Sequence, residues 1–174
     1  MRKITNEQFN EKYALYKNMI YSITYTYVHN VTDADDITQD VFIKYLNSDE
    51  VFQTLDNEKF WLIRVTINTC KSYLKKYWKK NVYLDDDYIN RLPSDRENSD
   101  DKTNDDIFEY VFTLPQKYKT VIILFYYENL SVNDISKTLK ITESNVKKRL
   151  ERARNILREK VNKSGWFRKK NKRI

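Results

Sequence analysis

Across 174 residues this chain carries one glycine, Gly165. Average usage would supply about a dozen. One glycine leaves no G-x-x-x-x-G-K phosphate loop and no G-x-G-x-x-G turn. It also leaves few residues suited to the positive φ of two-residue hairpins. A β-sandwich or doubly wound sheet is therefore a poor expectation, and an all-α chain a good one. One cysteine and one histidine can build neither a structural zinc site nor a disulfide. Serine-histidine-aspartate catalysis would have only His29 as its base. We therefore expect no enzyme, no metal, no cofactor and no small-molecule substrate. No apolar run approaches the ~20 residues of a membrane span, and no secretory leader pattern opens the chain. A cytoplasmic protein is expected.

Charge is segregated along the chain. The net charge of +7 divides into −4 over 1–61, +6 over 62–81, −6 over 82–106, zero over 107–139 and +11 over 140–174. Two basic blocks flanking an acidic one suit two contacts with a polyanion and a spacer that avoids it. The spacer DDDYINRLPSDRENSDDKTNDD (85–106) has the polarity and proline of a flexible linker. Two small helical domains joined by that linker are expected, with boundaries 1–81, 82–106, 107–162 and a basic tail 163–174.

The first domain reads as three helices. Phe9, Tyr13, Tyr16, Met19 or Ile20, Ile23 and Tyr27 recur at helical spacing. His29 ends that helix, in a capping or solvent-facing role. Thr32 with Asp35 predicts a capping box for a second helix that buries Ala34, Ile37, Val41 and Tyr45. Asp36, Gln39, Asp40 and Lys44 fall on another face. A third helix over about 57–80 is expected to bury Trp61 or Leu62, Val65, Cys70 and Leu74. Its second half displays Lys71, Lys75, Lys76, Lys79 and Lys80 among Tyr73, Tyr77 and Trp78. Lysines neutralise phosphates and aromatic faces stack on unpaired bases. Tyr73 reads as core, while Trp78 suits core and base stack equally. Cys70 reads as a buried small hydrophobe.

The second domain carries a helix-turn-helix pattern. Helices over about 105–113 and 116–128 are separated by Leu114-Pro115. Ser131 with Asp134 forms another capping box. The helix it opens buries Val132, Ile135 and Leu139. A turn at Lys140-Ile141 follows, and Thr142 caps a helix that buries Val146, Leu150, Ala153 and Leu157. Two helices joined this tightly, the second polar and basic outside, suit major-groove reading. Glu143, Ser144, Lys147, Lys148, Glu151 and Arg152 would face the groove. A freestanding helix-turn-helix regulator is the alternative, but it leaves 34–46 and 60–80 without a task.

These segments together resemble the extracytoplasmic-function group of bacterial sigma factors in the sigma-70 family, from about residue 9 to 161. ADDITQDVFIKYL (34–46) is similar to the segment that docks on core RNA polymerase. FWLIRVTINTCKSYLKK (60–76) is similar to the one that melts the promoter and reads its minus-ten element. The stretch from LPQKYK to LREKV (114–161) is similar to the domain that reads the minus-thirty-five element. The resemblance implies polymerase contacts at Asp36, Gln39, Asp40 and Phe42. It implies minus-ten DNA contacts at Asn68, Lys71, Lys75, Lys76 and Trp78, with Asn68 capturing a flipped base. It implies minus-thirty-five contacts at Ser144, Lys147, Lys148, Glu151 and Arg152. Lys148 and Glu151 depart from the residues common there, so the resemblance does not fix the sequence read. Core polymerase and promoter DNA are the implied partners, with an anti-sigma factor common in the family.

Overall fold

A computed structural model describes residues 5–80 and 110–163, with side chains to residue 77 in the first stretch. The expected linker and tail lie outside the described residues, as does the first half of the helix expected at 105–113. The chain divides into two compact units at Asp95/Arg96. All regular elements of the described residues are helical, as the glycine count requires.

In the first unit α1 spans Asn6–Val28, α2 Val31–Leu46 and α3 Leu55–Lys80, and each packs on the other two. Thr5 opens α1 with a full capping box, exchanging bonds with Gln8. His29 closes it in the left-handed region at φ 53°, its N–H reaching Tyr25 O. That abrupt stop corrects the expected start of α2. The cap is Asn30, whose side chain accepts from Asp33 N at 2.9 Å, and Thr32 already lies inside the helix. The Asn cap satisfies the free amide of Asp33, two residues before the Asp35 amide that Thr32 was expected to satisfy.

Tyr16, Ile20, Ile23 and Tyr27 of α1 meet Ala34, Ile37, Val41 and Tyr45 of α2 in the core. The stripe on α3 is rotated from the expected one. Leu62, Ile63, Thr66, Ile67 and Cys70 are buried, whereas Trp61, Val65 and Leu74 are half-buried. Thr66 is tolerated there because its hydroxyl donates to Leu62 O at 2.7 Å, so that hydroxyl is not buried without a partner.

A charged group also sits in this core. Glu58, 2% exposed, accepts from Lys12 Nζ at 2.7 Å, Tyr16 OH at 3.1 Å and Tyr45 OH at 2.5 Å. Its partners come from α1 and α2, so one carboxylate ties all three helices together. Burial alone pushes the carboxyl pKa up. The bonds from Lys12, Tyr45 and Tyr16, with the Lys12 charge, outweigh burial and hold it below the usual 4.5. Burial and the facing Glu58 carboxylate in turn push the Tyr16 hydroxyl well up.

In the second unit a helical turn over 110–112 precedes Leu114-Pro115. Then come α4 (Gln116–Ile122), a π turn (Ile123–Tyr127), α5 (Val132–Leu139) and α6 (Glu143–Lys163). In the π turn Glu128 N–H reaches back five residues to Ile123 O at 3.1 Å. Ser131 Oγ accepts from Asp134 N at 3.1 Å and opens α5. Lys140 ends it at φ 54°, ψ 48°. Thr142 Oγ1 accepts from Asn145 N at 3.2 Å and opens α6. Val121, Ile122, Leu124, Ile135, Val146, Leu150 and Ala153 form the core. Val132, Leu139 and Leu157, expected inside, are half-buried at its edge.

Candidate nucleic-acid interface

The first unit presents two polar faces. On α2, Asp36, Gln39 and Asp40 are exposed. Positions 36, 39, 40 and 43 follow the three-and-four spacing of one helix face, which adds the exposed Ile43. Phe42 does not join them. It is 3% exposed, its ring centroid 4.7 Å from Tyr13 and 6.0 Å from Phe9. One residue beyond Val41, it widens the core face toward α1. This corrects the expectation of a polymerase contact at Phe42.

On α3, Asn68, Lys71, Lys75 and Lys76 are all exposed. Asn68, Lys71 and Lys75 stand at i, i+3 and i+7 on one face, opposite the buried stripe. Trp78 lies beyond the described side chains. Tyr73, expected as core, is half-buried and donates to Asp33 of α2; burial and that carboxylate push its hydroxyl up to about 12. Lys44 of α2 donates to Thr69 Oγ1 at 2.8 Å, beside Asn68. Both contacts join α2 to α3 at the edge of the buried stripe, away from the Asn68, Lys71 and Lys75 face. Cys70 is fully buried, and burial pushes its thiol up to about 12.

The second unit presents one face of α6. Ser144, Lys147, Lys148, Glu151 and Arg152 are all exposed at i, i+3, i+4, i+7 and i+8. Val146, Leu150 and Ala153 hold the opposite side in the core. Glu143, expected to face the groove, is engaged across the turn and accepts from Asn133 Nδ2 at 2.8 Å.

Sequence reasoning missed Asn145 and Arg149 beside this face. Asn145, Lys148, Arg149 and Arg152 line a cleft of about 330 Å³ whose other wall is Lys117 and Tyr118 of α4. The α6 residues have a helical spacing that could have been found. The two from α4 arrive by tertiary folding, which no local pattern announces. Lys119, the next lysine along, turns inward instead. It is 4% exposed, and burial pushes its pKa down to about 8.

This arrangement of helices, with basic faces on separate units, defines a class. Residues 13–80 match the family described as Sigma-70 region 2, and residues 107–157 match Sigma-70, region 4. The chain is 33% identical to the "ECF RNA polymerase sigma factor SigW" of Bacillus subtilis, over 92% of each chain. It is 32% identical to the "RNA polymerase sigma factor SigV" of the same organism, over 85% of this chain and 87% of that one. Its fold is similar to that of the sigma factor RpoE from Bartonella quintana, solved in complex with the anti-sigma factor NepR. The TM-score is 0.70, at 20% identity, covering 88% of this chain and 96% of that one. A further match is CnrH, solved with the cytosolic domain of CnrY, at TM-score 0.65, 16% identity and coverage of 91% and 90%. The chain belongs to the sigma-70 family, in its extracytoplasmic-function group. Members of this family are transcription initiation factors rather than enzymes of the usual kind.

Proposed function

We propose that this sigma factor directs core RNA polymerase to promoters through three separate helix faces. Asp36, Gln39 and Asp40 of α2 dock on the polymerase. Asn68 of α3 captures a base flipped from the minus-ten strand, while Lys71, Lys75 and Lys76 hold the backbone beside it. Ser144, Lys147, Lys148, Glu151 and Arg152 of α6 read the minus-thirty-five duplex. The domains are 1–81, 82–106, 107–162 and 163–174, and the protein acts in the cytoplasm.

The observation that carries this reading is the exposure of Asn68 in line with Lys71 and Lys75, on the face of α3 opposite the one built into the core. An amide side chain both donates and accepts, so it pairs with a base edge that has left its partner. Unstacking costs a few kcal/mol per base, which a fixed amide and nearby cations offset for suitable sequences only. Lys or Arg on α6 suits guanine, and Glu151 suits the amino group of cytosine. The anti-sigma factor bound to the Bartonella quintana neighbour supports a cognate inhibitor for this chain.

The test is transcription with core polymerase on promoters selected from a random library. Wild type should yield a holoenzyme that initiates at a defined sequence. Asn68→Ala should reduce open-complex formation about tenfold or more while core binding changes little; one good base contact is worth ~1–3 kcal/mol. Equal loss of both would remove Asn68 from base capture. Tight binding to duplex without polymerase would favour a freestanding regulator.

A further inference from the structure

We infer that Arg64 of α3 is a positioning residue that takes a backbone phosphate of the minus-ten strand, on the side of Asn68 away from Lys71. The inference rests on Asn68 capturing a flipped base, and it supplies the flank of that base that the lysines do not reach.

Arg64 stands four residues before Asn68, which places the two on one face of α3. It is half-buried, and its Nε is shut off from solvent with no hydrogen-bond partner among the described residues. Ser48 Oγ and Thr138 Oγ1 share that condition among the described residues, but Arg64 is the cation of the three. Threonine hydroxyls in the same unit are matched locally. Those of Thr38, Thr66 and Thr69 each donate to a carbonyl four residues back at 2.7 Å. An arginine has no such local remedy, and its neighbours one turn either way, Phe60, Trp61, Ile67 and Asn68, include no carboxylate. A buried N–H without an acceptor costs stability. An acceptor that arrives with the DNA recovers that cost on binding.

Location decides which acceptor this is. Lys71 and Lys75 follow Asn68 along α3, so they hold the strand on one side of it only. A base leaves its stack by rotation about the backbone that carries it, and cations on one side leave the other flank free to swing. Long side chains on a helix lean toward its N-terminus, which carries the Arg64 guanidinium further from Lys71. Arg64 and Lys71 are seven residues apart, about 10 Å along the axis, or roughly three nucleotide steps of 3.4 Å. That span brackets one flipped nucleotide. A guanidinium takes a phosphate through two parallel N–H bonds, and Nε–H is suited to be one of them. Phosphate contacts fix register and carry no sequence information of their own. Arg64 therefore holds the strand while Asn68 reads the base.

The test uses reconstituted holoenzyme on a promoter selected by the wild type, with single phosphates of the minus-ten strand replaced by neutral methylphosphonates. Arg64→Met keeps an apolar stem and removes the buried N–H. The first unit should melt no earlier than wild type, and core binding should hold. Open-complex formation should nonetheless fall about tenfold, the lower end for a hydrogen bond to a charged group. Arg64→Lys keeps a charge but lacks the fork, and should lose nearly as much. One methylphosphonate beside the captured base should weaken wild type and have no further effect on Arg64→Met. The loss should be equal whichever base occupies the captured position. Earlier melting of Arg64→Met in step with its lost activity, a loss that differs among bases, or no phosphate coupled to Arg64 overturns the inference. The base-capture reading survives any of these if Asn68→Ala is still defective in open-complex formation. If Asn68→Ala opens promoters like wild type, that reading falls, and the phosphate contact with it.

Discussion

Glu58→Gln is the sharpest perturbation of the first unit. The substitution keeps the shape and one acceptor oxygen, which Tyr45 OH can still use. It removes the charge and places an amide N–H₂ where an oxygen accepted from Lys12 at 2.7 Å and Tyr16 at 3.1 Å. Hydrogen bonds to a charged group contribute ~1.5–3 kcal/mol each. Removing one partner of a buried ion pair costs ~3–5 kcal/mol. The Lys12 side chain is 19% exposed and can turn toward water, so the lower end applies, about 3 kcal/mol. At roughly 4–8 °C per kcal/mol for a domain of this size, the first unit should melt more than 10 °C earlier. Hydrogen exchange of α3 amides in the full chain separates this transition from that of the second unit. The pH dependence provides a second check. Glu58 has its carboxyl held below 4.5 in the folded protein, so its contribution is present above that value and lost as pH falls through the folded pKa. The gap between wild type and Glu58→Gln should therefore be full at pH 7 and close in stronger acid. Lys12→Met should cost less, and the double substitution less than the sum of the two. A cost below about 1 kcal/mol for Glu58→Gln, or a gap that does not change with pH, would refute the account of the carboxylate as a charged tie.

Two further outcomes concern single residues. Cys70 is fully buried with its thiol pushed up to about 12, so Ellman's reagent at pH 8 should react only as fast as the first unit opens. A rate in native buffer equal to that in denaturant would contradict this. Lys140 is exposed and holds φ 54° at the end of α5; Lys140→Gly relieves the left-handed strain at some cost in chain entropy and should stabilise the second unit by ~0.5–1 kcal/mol. A lowered melting temperature would mean that Lys140 makes contacts its exposure conceals.

Much of this structure was legible in the sequence because helices bury residues at a fixed spacing. Ala34, Ile37, Val41 and Tyr45 follow that spacing and are buried. Ser131 and Thr142 announce their helices because a hydroxyl before an apolar run has few other tasks. Legibility failed where a polar side chain satisfies itself locally or finds a distant partner. Thr66 bonds its own helix and enters the core, which rotates the α3 stripe away from Val65 and Leu74. Glu58 is buried only because Lys12, Tyr16 and Tyr45 arrive from other helices. Of the residues proposed for polymerase and DNA contact, Asp36, Gln39, Asp40, Asn68, Lys71, Lys75 and Lys76, with the α6 face from Ser144 to Arg152, are exposed as their spacing leads one to expect. Phe42 was misplaced because an aromatic on a docking segment reads equally well as surface or core. Lys117 and Tyr118 were missed because only folding brings α4 beside α6.

The π turn at Ile123–Tyr127 holds one residue more than an α-helical turn would. Its rings depend on that surplus. Phe125 and Tyr126 meet edge to face at 5.0 Å, and Arg154 lies across both, its Nε donating to Tyr126 OH at 2.8 Å. Deleting one residue here would restore ordinary helical pitch and swing every ring beyond the deletion by about 100°. Tyr126 would leave Arg154 with no substitution having been made. This surface is thus gauged by residue count, and relatives would diverge there through single-residue length changes rather than through exchange of one side chain for another.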